Sequence, residues 1–155
     1  MTRIPNHIQL ELFSDRPATN WRDQGPPERG LMIRDPYITD ILLTKKTWEL
    51  RGSPTKVRGR IGLIKSKSGH VFGEAELSDV IGPLSYGDLL SSWEIGTHDR
   101  GELKQSGCPP YVDKDGSSRT YAWILANVTT YQPPVPYRHP SGAITFVDLK
   151  SALKL

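Results

Sequence analysis

Ile41-Leu42-Leu43-Thr44-Lys45-Lys46-Thr47-Trp48-Glu49-Leu50-Arg51 changes its hydrophobic period halfway along. Ile38, Ile41 and Leu42 recur at spacings of three and four, which places them on one face of a helix. Pro36 suits the first turn of that helix, predicted to run through Lys45. Lys45 and Lys46 then sit at its C-terminal end, where positive charge meets the negative pole of the backbone dipoles. From Thr47 the period becomes two: Trp48 and Leu50 point one way, Thr47, Glu49 and Arg51 the other. The stretch therefore reads as a helix running into a half-buried strand, with Lys46, Glu49 and Arg51 able to converge on one polar site.

Downstream, Gly52-Ser53-Pro54 breaks the strand, and Arg60–Lys65, a turn at Ser66–Gly69 and His70–Leu77 read as a hairpin. A short helix is predicted from Ser85 to about Trp93, followed by a loop-like polar stretch through Gly116. Thr120–Ala126 and Ala143–Leu149 are read as two closing strands, separated by the proline-dense Pro133–Pro140. Upstream, Met32-Ile33 can form a short strand. Residues 1–30, with Pro5, Pro17, Pro26 and Pro27, read as a flexible N-terminal arm, leaving 31–155 as the folded domain. Many short strands with a few short helices predict an α+β fold built on a small mixed β-barrel.

The chain has 155 residues, a usual size for one domain, and 14 Gly with 13 Pro agree with short elements and many turns. Cys108 is the single cysteine, which rules out an intramolecular disulfide and a cysteine-built metal site. No apolar run reaches the roughly 20 residues that cross a bilayer, and the N-terminus lacks a secretory apolar stretch; a cytoplasmic monomer without membrane contact is expected. Net charge is +3, yet Lys45, Lys46, Arg51, Lys56, Arg58, Arg60, Lys65 and Lys67 stand against Glu49 alone in that region. A local field of this kind attracts phosphates.

In the polar centre Arg51 offers a planar fork for bidentate contacts, Lys46 a point charge and Glu49 an acceptor for an amino or imino group of a base. Lys56, Arg58 and Arg60 are placed to steer phosphate. Tyr37, Tyr121 and Tyr137 are candidates for stacking bases, whereas Trp48 and Trp123 read as core; Arg138 and His139 flank the last of these aromatics. The plainer alternative is a salt-bridge cluster closing the mouth of the barrel. His70, His98 and His139 are widely spaced and lack a carboxylate cluster, so no metal and no cofactor is expected.

The motif residues carry a resemblance to the ASCH family, a PUA-like group. Its motif, Gly-x-Lys-x-x-Glu-x-Arg at a helix-to-strand junction, is matched by Lys46, Glu49 and Arg51, with Thr44 in place of the glycine. The likeness continues through Val57–Ile61, Gly73-Glu74-Ala75, Leu84-Ser85, Tyr121-Ala122-Trp123 and Pro136–Pro140, over roughly residues 31–149. It implies a PUA-like barrel of ASCH type that recognises RNA or a nucleoside in a basic cleft.

The resemblance also leaves hydrolysis open. One branch of the family deacetylates N4-acetylcytidine with a lysine, a threonine three residues later and a glutamate from the following helix region. Here Lys46 matches the lysine, Glu49 stands where the threonine would be, Thr47 is the nearest hydroxyl, and Glu94 near His98 is the nearest glutamate. Another branch cleaves RNA, for which a base, an acid and cationic stabilisation suffice. Lys46, Glu49 and Thr47 are thus the catalytic candidates. Separately, Gln9-Leu10-Glu11-Leu12-Phe13 resembles the peptide with which bacterial replication and repair proteins dock on the polymerase sliding clamp, making Gln9, Leu10, Leu12 and Phe13 candidate docking residues.

Overall fold

The computed structural model describes residues 24–92 and 97–152. Along the chain run β1 (Arg29–Ile33), α1 (Tyr37–Leu42), β2 (Trp48–Arg51), β3 (Gly59–Lys65), β4 (His70–Ile81), α2 (Tyr86–Ser91), α3 (Thr97–Ser106), β5 (Tyr121–Pro136), β6 (Phe146–Asp148) and α4 (Leu149–Ala152). The arm residues Gln9, Leu10, Leu12 and Phe13, and Glu94, lie outside the described residues.

These elements form two compact units. The first takes the described parts of 1–43, 60–75 and 127–155; the second takes 44–59 and 76–126. In the first, strands pair in the order β5-β4-β3-β1-β6, with β1 parallel to β3 (Leu31 opposite Leu63) and antiparallel to β6 (Leu31 opposite Phe146). In the second the order is β2-β5-β4, with β2 antiparallel to β5, Glu49 facing Trp123 and Arg51 facing Tyr121. The sheet is mixed and the helices are short, as the sequence predicts for an α+β fold.

The core of the first unit gathers Ile64, Val71, Tyr131, Tyr137, Val147, Leu149 and Ala152, with Met32, Val135 and Ala143 packed against them. Helix α1 buries Ile38, Ile41 and Leu42, the face its spacing predicts. The core of the second unit is Leu50, Leu89, Leu103 and Ala122, edged by Trp48, Ile81, Leu84, Tyr86 and Leu90. Ser85 caps α2 in a reciprocal box with Asp88, satisfying two otherwise orphaned backbone donors.

Several elements depart from the sequence prediction. The polar stretch after α2 contains α3, anchored by the buried Leu103 and by the Tyr86 hydroxyl donating to the Leu103 carbonyl at 3.1 Å. One apolar anchor in ten residues leaves no hydrophobic stripe to read. Strand β5 continues through Pro133, Pro134 and Pro136, where a break is predicted. Its second half is the end strand of the first unit, and an edge strand has an open side on which missing N–H groups cost little. Helix α1 stops at Leu42 rather than Lys45, and the last strand shrinks to Phe146–Asp148 because α4 begins at Leu149.

The early stop of α1 bears on the motif. After Leu43, Thr44 takes φ 58°, the left-handed conformation in which helices commonly terminate and which glycine adopts without strain. Thr44 stands at the motif's glycine position, so a β-branched side chain is held where Cβ crowds the following carbonyl. Thr44→Gly is expected to raise stability by about 1 kcal/mol in urea unfolding, the relieved strain exceeding the added freedom of the unfolded chain.

Candidate nucleic-acid interface

The motif residues sit on and before β2, in the second unit. Lys46 is 4% exposed and Glu49 6%. Arg51 Nε lies 3.4 Å from Glu49 Oε1, and the Arg51 guanidinium stands over the Trp123 ring, 5.6 Å from its centroid. The buried Trp123 is the cross-strand partner of Glu49, and its indole N–H donates to the Ser53 carbonyl at 2.9 Å, tying down the loop after β2. The sequence predicts a half-buried strand; instead the polar face of β2 is covered as well, because Trp123 packs on that face. Charges here act through surroundings that screen them less than water does.

Around this centre the same loop is held again by Arg119, whose Nη1 donates to the Gly52 carbonyl at 3.0 Å and whose guanidinium lies over Tyr111. Arg58 Nη1 donates to the carbonyls of Thr55 and Val57, both at 2.8 Å, and its Nη2 lies 3.9 Å from Asp79. Lys56 is exposed. Tyr121, opposite Arg51, is half-buried. Thr47 precedes β2 and is exposed, whereas Glu49 is buried.

The remaining predicted residues belong to the first unit. Arg60 is ion-paired with the buried Glu74. Tyr137 lies in the core; its hydroxyl is 3.1 Å from His139 Nδ1, and burial raises its pKa. His139 Nε2 is 3.0 Å from the Ala143 carbonyl, which can only accept, so the neutral ring carries its proton on Nε2 and accepts from Tyr137 on Nδ1. The imidazole braces a turn. Arg138 is exposed and Tyr37 half-buried on α1.

The structure thus brings Lys46, Thr47, Glu49, Arg51, Lys56, Arg58 and Tyr121 into one unit and Tyr37, Arg60, Tyr137, Arg138 and His139 into the other. Sequence reasoning missed Trp123 as the platform under Arg51, and Glu74 and Tyr131 as companions of Arg60. A signal for the Arg60–Glu74 pair existed: opposite charges lie five residues before the end of β3 and four after the start of β4, across one hairpin. Among the described residues no three His, Cys, Asp or Glu side chains gather as a metal site, and no helix is long and apolar enough to cross a membrane.

Comparison with known proteins defines the class. The family model of the ASCH domain matches residues 31–135, and the chain belongs to that family. A solved structure agrees in fold. A serine-to-alanine mutant of the ASCH protein of Zymomonas mobilis superposes with a TM-score of 0.54 at 15% identity, over 78% of this chain and 87% of that one. The unmutated protein gives 0.49 at 20%, over 71% and 70%. The curated proteins contain no match.

Proposed function

We propose that this ASCH domain recognises RNA or a nucleoside, in the cytoplasm, through the basic face built on β2. The observation that carries this reading is the Arg51 guanidinium held between Glu49 and the Trp123 ring, with Lys46 buried just before the same strand. Burying ions is expensive, and apolar residues of similar volume would hold the strand at least as well. An Arg held over Trp123 and braced by Glu49 keeps a planar donor fork in one orientation, the form suited to a phosphate or a base edge. Exposed Lys56 adds phosphate attraction nearby. Hydrolysis lacks such support: Glu49 fills the position of the threonine nucleophile, and the exposed Thr47 precedes the strand.

The test is fluorescence anisotropy with labelled single-stranded RNA across a salt series. Affinity is expected to fall with salt, and Arg51→Lys, which keeps the charge and loses the fork, is expected to weaken binding about 10-fold without lowering the melting temperature appreciably. Equal affinity of the variant and the parent would remove Arg51 from the interface. Cleavage of the RNA during the titration would move the reading to a hydrolase.

A further inference from the structure

Arg60, Glu74 and Tyr131 stand on three successive strands of the first unit, β3, β4 and β5. Arg60 Nε is spent on Glu74, and its Nη1 donates to the Gly25 carbonyl at 2.8 Å. Its Nη2 is buried and makes no hydrogen bond among the described residues. The same holds for the hydroxyls of Thr129 and Thr130, and the Tyr131 hydroxyl, close to Arg60 and Glu74, makes no well-formed hydrogen bond to either. Tyr131 is 3% exposed and Thr130 4%. Orphaned buried donors are costly, and strand pairing does not need them: phenylalanine and valine would fill the same space without the penalty.

We propose that Arg60, Glu74 and Tyr131, with the Thr129 hydroxyl on the same face of β5 as Tyr131, form a second recognition subsite that reads the hydrogen-bonding edge of a neutral nucleobase. The proposal rests on the RNA or nucleoside reading above and names what part of the ligand this subsite takes. Charge selects the class. One guanidinium balanced by one buried carboxylate gives a phosphate no net attraction, and Glu74 repels it at close range. A base edge sets a carbonyl or ring-nitrogen acceptor beside an amino or imino donor; Arg60 serves the first and Glu74 the second. Burial and the negative charge of Glu74 raise the pKa of Tyr131 against the opposing pull of Arg60, so its phenol stays protonated and able to donate. Arg60, with 31% of its side chain exposed, is the solvent-side member and the one a base would meet first.

The experiment titrates the full chain with each of the four ribonucleosides and, separately, with inorganic phosphate, for the parent, Tyr131→Phe and Thr129→Val. The parent is expected to prefer one base. Tyr131→Phe is expected to weaken that nucleoside about 10-fold, to leave the response to phosphate unchanged, and to melt at the same or a higher temperature. Thr129→Val should do the same to a smaller extent. A raised melting temperature with nucleoside affinities and ranking unchanged overturns the subsite. Salt-dependent RNA binding by a parent that distinguishes no nucleosides also overturns it while leaving the proposed function standing. If neither RNA nor any nucleoside binds, both fall.

Discussion

Glu49→Gln is expected to destabilise the protein by about 3 kcal/mol, measured by urea unfolding at neutral pH. The change is nearly isosteric, so packing against Trp123 survives and the effect isolates charge. In the parent, Glu49 is the carboxylate beside Arg51, while Lys46 is buried three residues earlier in the chain. Without it, Arg51 keeps its charge over the Trp123 ring with the carboxylate beside it gone. Removing one partner of a buried pair costs more than the pair itself contributes, because the other is left desolvated and uncompensated.

A second readout sharpens the result. Sulfate or phosphate should stabilise Glu49→Gln more than the parent, since an anion can replace the lost charge, by the linkage of binding to folding. A loss under about 1 kcal/mol would mean that water screens this pair as it does an ordinary surface ion pair.

How much of this was legible beforehand follows from what sequence period can report. Helix α1 was readable because Ile38, Ile41 and Leu42 form a stripe that burial enforces, and β2 because Trp48 and Leu50 alternate with polar residues. Of the motif residues, Glu49 and Arg51 thus share a strand face that the period could show. Their burial was not readable, since it depends on Trp123, more than seventy positions later, lying across from Glu49. Period shows which residues share a face and says nothing about what covers that face.

The proline-rich half of β5 was misread for a related reason. Proline forbids a central strand but not an end strand, and whether a segment lies at the end is a property of topology. Helix α3 was missed because a single anchor, Leu103, suffices when a short helix docks on a neighbour, and one residue has no period. The Arg60–Glu74–Tyr131 cluster was half legible: the hairpin pair could be found by counting from the turn, whereas Tyr131 arrives from a strand nearly sixty residues away.

Gly73→Ala is expected to cost about 3 kcal/mol or more, with Gly101→Ala as its control. A Cβ at Gly73 would be driven into the backbone carbonyl of Thr129, and would also meet Leu42 Cδ2 at 3.0 Å and Thr130 Cα at 3.2 Å. The first obstacle is backbone of the adjacent strand, which cannot rotate away as a side chain can, so β4 and β5 must separate. At Gly101, within α3, nothing lies within 4 Å of an added Cβ, and alanine should stabilise the helix by about 0.5–1 kcal/mol. Equal effects at the two positions would show that the chain does not approach itself at Gly73 as described. The consequence reaches beyond stability, because Gly73 immediately precedes Glu74 and its contact with Thr129 and Thr130 brings β4 against the part of β5 that carries Tyr131. Forcing those strands apart should therefore weaken nucleoside selectivity even in the fraction that remains folded, an effect that Gly101→Ala should not share.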